Sequence, residues 1–213
     1  MLDPLSSDVA FTDTVKAVQS RRGSRATYAK VEARGGFRTA ITPELIGFLA
    51  EVDTAYLATA NAAGQPYAQH RGGPKGFIRA VDATTLGFAD FAGNRQYVTT
   101  GNLAENDRAF LFLMDYAHRR RVKLWGRARV VEDDPALVAR LMPEGYRARP
   151  EQAILFTVEA WDANCPQHIP QKLDADEVAA ALAELQQRVA ALEAENARLR
   201  AGHAPFDQES LTP

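Results

Sequence analysis

Two stretches of the chain concentrate side chains that can hold an anion. The first runs from Gly64 to Arg79 and carries Arg71, Lys75 and Arg79 around Gly72-Gly73-Pro74-Lys75-Gly76. The second runs from Phe88 to Gln96 and ends in Gly93-Asn94-Arg95-Gln96. A phosphate dianion needs several fixed donors, and the planar fork of arginine supplies them best. Arg79 leaves an expected strand, and Arg95 sits in a Gly-Asn-Arg turn. The blander alternative is that both are surface charges at strand ends. Gly72-Gly73-Pro74 has an equally plain reading as a bulge or loop.

Other chemistries find less support. Asn164-Cys165-Pro166-Gln167-His168 sets a thiol near an imidazole. A reactive thiol needs an electropositive, partly exposed setting, so a buried thiol beside a loop histidine is the preferred reading. The 4 histidines are scattered, and no metal-ligand spacing occurs. Gly-Gly-Pro-Lys-Gly lacks the following helix that a phosphate-cradling loop requires. There is no Gly-x-Ser-x-Gly elbow.

The elements that must position the arginines are short. Phe11, Val15 and Val18 recur at helical spacing, and Gly23 offers a stop. The basic stretch from Arg21 to Arg38 reads as a loop or a second short helix. Thr42-Pro43 is an N-cap followed by proline at the first helical position. Strands are expected at 54–60 and from Pro66 to Arg71, separated by a turn at Asn61-Ala62-Ala63-Gly64. Phe77 to Val81 reads as a continuation of the second strand, and 85–90 as another. The apolar run 109–114 suits a strand buried on both faces. A basic tip at 118–121 precedes a strand at 122–131. Asp134-Pro135 opens a helix through Leu141, and 153–160 is the last strand. Many short strands with close turns suggest a small barrel.

Composition bounds the reading. At 213 residues the chain can hold one sizeable domain plus an appendage. A net charge of −2 gives no field that would draw it to nucleic acid or anionic lipid. The single cysteine precludes an internal disulfide. No export signal is expected from Met1–Ala10 or from Arg21-Arg22, and the apolar runs fall far short of the roughly 20 residues a span needs. A cytoplasmic location is expected, with no membrane partner.

The C-terminal region has a different pattern. Val178, Leu182, Leu185, Val189, Leu192, Asn196 and Leu199 alternate spacings of four and three. Leu182, Val189 and Asn196 fall at heptad position a, and Val178, Leu185, Leu192 and Leu199 at d. A β-branched or Asn residue at a with Leu at d favours a parallel two-stranded coil. The alternative is an amphipathic helix lying on its own domain.

The two arginine-bearing stretches, with Gly101-Asn102-Leu103-Ala104-Glu105-Asn106-Asp107-Arg108 and the apolar strand after them, resemble the pyridoxamine 5′-phosphate oxidase family of split-barrel flavoproteins. The likeness is greatest to its subgroup of flavin-nucleotide-binding proteins. It covers roughly Ile41 to Val131, and Cys165 to Ile169 more loosely. The resemblance implies a mainly β fold with flanking helices, an FMN-binding split β-barrel, to which the heptads add a C-terminal coiled-coil helix. Together these readings divide the chain into an N-terminal helical segment (1–40), a barrel (41–170), a dimerisation helix (174–201) and a disordered tail (202–213).

The resemblance also implies a site. The family's phosphate-binding lysine, at the end of its second barrel strand, matches Arg79. Its Ser-Arg-Lys phosphate loop matches Asn94, Arg95 and Gln96. Its ring-contacting glutamine, on the strand after the basic hairpin, matches Arg121. Five extra residues, Gly72 to Gly76, lie inside the second strand, so the family's preceding arginine aligns with Gln69, Arg71 or Pro74. Arg71 and Lys75 enter as further phosphate or ring contacts, and Gly72-Gly73 would let backbone amides approach the flavin ring. Charge-assisted hydrogen bonds contribute about 1.5–3 kcal/mol each, against association costs of order 4–15 kcal/mol. The ring must therefore be buried too. In this family it lies in a cleft shared by two subunits, which implies a homodimer.

The expected function is a flavin-dependent oxidoreductase with FMN and an open substrate. The family's true oxidases end in an Arg-containing segment over the substrate, whereas here 164–168 and the heptad helix follow the barrel. Alternatives are a non-catalytic flavin binder or redox sensor, a haem-binding split-barrel protein, or a deazaflavin binder. A nucleic-acid binder built on the 21–38 arm and the heptads is disfavoured, because Asp174, Asp176 and Glu177 stand where a basic zipper needs Lys and Arg.

Overall fold

The computed structural model describes residues 4–164 and 167–202; Cys165 and the expected disordered tail from residue 203 lie outside them. The chain forms two compact units, Met1–Pro170 and Gln171–Pro213. No described helix is long and apolar enough to cross a membrane.

Caps set the ends of the first helices. The Thr12 hydroxyl accepts from the Val15 amide to open α1 (Asp13–Arg22), and Gly23, at φ +78°, ends it. After α2 (Arg25–Glu32), Thr42 and Pro43 start α3 (Pro43–Glu51) as the sequence predicts. Leu45, Phe48 and Leu49 on α3 are buried against the sheet.

The sheet has seven antiparallel strands: β1 (Thr54–Ala60), β2 (Pro66–Gly72), β3 (Arg79–Ala80), β4 (Thr85–Phe91), β5 (Arg108–Asp115), β6 (Arg120–Val131) and β7 (Pro150–Asn164). Their order is β2-β1-β5-β6-β7-β4-β3. With α4 (Val98–Glu105), α5 (Pro135–Leu141) and the long α6 (Ala175–Gly202), this is a mainly β, split-barrel architecture with flanking helices.

Alternation decides which residues face inward. Ala55 and Leu57 of β1, Leu111 and Leu113 of β5, and Leu124 of β6 are wholly buried. Register then places Arg71 opposite Ala55 and Gln69 opposite Leu57, so both polar side chains share the core face. A second cluster packs α5 on the other side of β4 and β7, through Leu141, Ala153 and Leu155.

The two halves of the sheet share β6 and β7. Residues 153–157 of β7 lie between β6 and β4, whereas 158–164 pair with β6, with an isolated bridge from Trp161 to Arg38 on the other side. At the step between them the register shifts beside Trp125 and Gly126. A Cβ on Gly126 would collide with the Thr157 carbonyl oxygen. Only glycine fits where the ladder bends.

Four sequence expectations change. The 77–81 strand shrinks to Arg79–Ala80, because Phe77 and Ile78 turn into the core instead. The extra residues at 72–76 do not bulge within one strand. They carry the chain from edge strand β2 to edge strand β3, held by bonds from the Gly73 amide to the Asp53 carbonyl (3.2 Å) and the Gly76 amide to the Val52 carbonyl (3.1 Å). β5 is fully buried along one face, while on the other Met114 is buried and Phe110 and Phe112 are only half-buried. β7 is longer than expected, because it belongs to both halves.

The β5–β6 hairpin turns on Asp115. Its carboxylate accepts from the His118 amide (3.0 Å) and from Arg120 Nε and Nη2 (2.9 and 2.6 Å). Burial alone would push this carboxyl up, but the His118 amide and the Arg120 guanidinium together hold it below the usual carboxylate value.

Three outcomes follow for stability. Gly126→Ala is expected to destabilise by about 2–3 kcal/mol in urea unfolding. Gly47→Ala, on the exposed face of α3 with nothing within 4 Å, is expected to stabilise by about 0.5–1 kcal/mol. The depressed Asp115 carboxyl binds its proton more readily when unfolded, so its contribution is full above about pH 4 and falls away as pH drops through the lower folded value. Asp115→Asn should flatten that acid limb in unfolding curves measured against pH.

Candidate functional site

β2 ends one edge of the sheet and β4 lies next to the opposite edge, with β1, β5, β6 and β7 between them. Yet Arg71 Nη1 of β2 donates to Asp90 Oδ1 of β4. The two ends of the curled sheet therefore meet through side chains rather than a backbone ladder. The pair is largely dry, with 12% and 11% of the two side chains exposed.

Around it lies a polar network. Arg71 Nη2 donates to Gln69 Oε1 (3.0 Å), which also accepts from Thr99 Oγ1 (2.7 Å). Gln152 Nε2 donates to Asp90 Oδ2 (2.8 Å) and to Thr100 Oγ1 (3.2 Å). Buried Arg71 Nε has no hydrogen-bond partner among the described residues. An orphaned donor of this kind is uncommon in a protein interior.

Above the network is a small pocket of about 50 Å³, open to solvent and lined by Gln69, Arg71, Asp90, Asn94, Arg95 and Thr99 among others. Its rim is the turn at Gly93–Tyr97. Asn94 Oδ1 accepts from the Gln96 amide (3.2 Å), an Asx-type turn. Arg95 and Tyr97 both take left-handed backbone at φ +60° and +54°. Such strain in non-glycine residues collects at ligand sites. Arg95 is 64% exposed at its side chain, and Nε donates to Tyr97 Oη (3.1 Å). That bond, then Glu151 at 3.7 Å, holds the guanidinium charged beyond its ordinary range.

Tyr97 gives α4 no side-chain cap. The first-turn amides of a helix have no acceptor within it, and they point with the positive end of its dipole. Thr99 and Thr100 bring that turn to the pocket wall. Arginine forks, uncapped amides and an Asn side chain form a donor set suited to a phosphate group. Among the described residues no group of three or more His, Cys, Asp or Glu could hold a metal ion.

Of the residues singled out in the sequence, Arg71, Asn94 and Arg95 come together here. Gln69, one of the alternative alignments, joins them. Gln96 belongs to the same turn but is exposed and outside the pocket wall. Lys75 is exposed in the turn between β2 and β3. Arg79 lies apart: it sits opposite Gly87 on the α5 side of β4, and Nη1 donates to the Arg140 carbonyl (3.1 Å). Arg121 shares the outer face of β6 with Lys123 and Trp125, and its Nε is also buried without a partner among the described residues. Gly73 has a packing reason, since a Cβ would stand 2.8 Å from Phe77 Cβ. Its amide is already engaged by Asp53. His168 is exposed at φ +61°.

The sequence reading missed Asp90, Gln152, Thr99, Thr100 and Glu151. Asp90 interrupts the apolar run of β4 and Gln152 precedes that of β7, and a polar residue on an inward strand position is the available signal.

Breaking the closure tests this assignment. Arg71→Met should destabilise by about 3–5 kcal/mol, because Asp90 is left buried without its cation. Arg71→Met/Asp90→Leu should recover most of that loss in denaturant unfolding.

Comparison with known proteins bears on the same region. The family model of pyridoxamine 5′-phosphate oxidase matches residues 41–165, more than half of the chain. No curated protein matches. Among solved structures, HupZ of Group A Streptococcus is 18% identical, with 62% of this chain and 99% of that one covered and a TM-score of 0.48. An FMN-binding protein from Syntrophomonas wolfei is 9% identical, covering 68% and 97%, with a TM-score of 0.45. HutZ, the heme storage protein of Vibrio cholerae, is 17% identical, covering 57% and 93%, with a TM-score of 0.43. The family match takes in every strand of the sheet and the whole Gly93–Tyr97 turn, and it makes this chain a member of the pyridoxamine 5′-phosphate oxidase family.

Proposed function

We propose that the chain binds FMN with its phosphate in the pocket between Arg71, Arg95 and the first turn of α4, and serves as a flavin-dependent oxidoreductase. The observation that carries the reading is the buried, incompletely paired Arg71 beneath a strained, arginine-bearing turn. Family membership supports it, because the Asn94-Arg95-Gln96 turn matches the family's phosphate loop.

The residues fit the group. Arg71 is held by Asp90 and Gln69 before any ligand arrives, so its ordering is complete on folding. Arg95 is open and can swing from the weak Glu151 contact onto a phosphate oxygen. The Asp90 charge is offset by Arg71, and Glu151 also has Arg149 at 3.3 Å. The pocket can therefore accept a dianion without facing a bare carboxylate. Lys75, as an extra contact, and Gln96, Arg79 and Arg121, from the family alignment, remain assigned toward the phosphate or ring. The last two reach the cofactor only across the cleft of a homodimer. The half-buried Phe110 and Phe112 beside exposed Tyr56 on the outer face suit such a pairing.

When bound, FMN supplies hydride or single-electron transfer through its ring. The chain's own part is to fix the phosphate, orient the ring and exclude water.

The test is the absorption spectrum of the concentrated protein, with the chromophore identified by mass after heat release. Flavin bands with the FMN mass support the reading. A Soret band, or a colourless protein that takes up no added FMN, overturns it. Arg95→Ala should weaken FMN binding by about 10- to 100-fold in a fluorescence titration. Because this side chain is exposed, the unfolding midpoint should stay unchanged.

A further inference from the structure

The second compact unit is dominated by α6, 28 residues without a buried side chain among them. At 1.5 Å per residue it extends about 42 Å. Leu182, Leu185, Val189, Leu192 and Leu199 are each 53–60% exposed, and all lie on one stripe. The remaining positions are rich in Ala, Glu and Arg, which favour helix but cover nothing. An apolar seam of this length, left in water, calls for a partner helix.

We infer that this partner is α6 of a second copy, in a parallel, in-register two-stranded coil. Charge and polarity across the seam carry the inference. With Leu182, Val189 and Asn196 at a, the g positions include Arg188 and Glu195, and the e positions include Glu193 and Arg200. In a parallel pair each g residue faces the e residue five positions later on the other helix. Arg188 then meets Glu193, and Glu195 meets Arg200. Both are opposite in sign, and each occurs twice by symmetry. No like-charge g–e contact arises.

Asn196 separates this arrangement from the antiparallel one. In parallel register it faces its own copy, and two carboxamides can hydrogen-bond across the seam. Antiparallel pairing matches a with d layers: Leu182 with Leu199, Val189 with Leu192, and Asn196 with Leu185. That leaves the carboxamide buried against a leucine, with its hydrogen bonds unmade. The same stripe thus provides affinity through its leucines and orientation through one asparagine. The inference does not depend on the flavin site.

Disulfide trapping in the full chain, with Cys165→Ser as background, tests it. Leu185→Cys places thiols in one d layer of the parallel coil. In the antiparallel coil the two copies of this position are 11 residues apart along the axis. Gln187→Cys, at outer position f, is the control for two tails merely tethered by dimeric barrels. Under mild oxidation Leu185→Cys should cross-link at least about tenfold faster than Gln187→Cys, because disulfide geometry rejects distant Cα pairs. Adding Glu193→Arg and Arg200→Glu should slow the reaction by setting like charges across every g–e pair. Further adding Arg188→Glu and Glu195→Arg should restore it. Equal rates for Leu185→Cys and Gln187→Cys would overturn the pairing. A rate insensitive to the charge reversals would overturn the parallel register.

Discussion

The sheet of this protein closes on a charge pair. β2 and β4 approach each other with no backbone ladder between them, and Arg71 and Asp90 span the seam. A ladder would have sealed the gap and consumed every amide along it. A side-chain closure leaves room, which Thr99 and Thr100 of α4 and Gln152 of β7 partly fill with hydroxyl and carboxamide groups. The residues that complete the fold are thus also the floor of the pocket. Buried ion pairs are weak sources of net stability because desolvation opposes their attraction. What this one provides is position: it fixes a guanidinium at the seam, with one donor left over.

Much of this architecture is legible in local sequence. Thr42-Pro43 and Asp134-Pro135 open helices where their chemistry says they should, with hydroxyl and carboxylate oxygens accepting from Leu45 and Leu137 amides. The 54–60 strand and the Asn61–Gly64 turn likewise follow from alternation and turn residues. α4 was illegible for a physical reason. Val98, Thr99, Thr100 and Gly101 are poor helix formers, and the helix exists because Asn102 and Leu103 are buried against the sheet. The Asn102 amide also reaches Thr59 Oγ1 at 3.0 Å.

The site was half legible for a related reason. Arg95 announces itself through its turn, which is local. The ion-pair partner of Arg71 lies 19 residues away, and no local pattern states that two sheet ends will meet. Asp90 and Gln152 are 62 residues apart and join only because β4 and β7 pair in one register. Arg79 shows the converse: it aligns with a family phosphate ligand, and its position opposite Gly87 places it apart from this pocket, on the face covered by α5. Parity along a strand decides which face a charge serves, and a five-residue insertion before it removes the register that sequence alone would use.

In the proposed site Arg71 and Arg95 would divide the work of holding an anion because their freedom differs. Arg71 has few rotamers left to lose, since Asp90 and Gln69 hold both ends of its fork. Arg95 must surrender most of its side-chain freedom on binding, which costs about 0.5–1.5 kcal/mol. Its backbone compensates in part: the left-handed geometry at Arg95 and Tyr97 is already fixed by the turn, so the loop does not have to find it. A buried arginine can also discriminate in a way that a surface one does not. Its spare Nε is a donor whose only gain is a ligand oxygen placed at the seam, whereas Arg95 can follow an oxygen over several ångströms. In the proposed FMN complex Arg71 would therefore set where the phosphate sits, and Arg95 how tightly it is kept there.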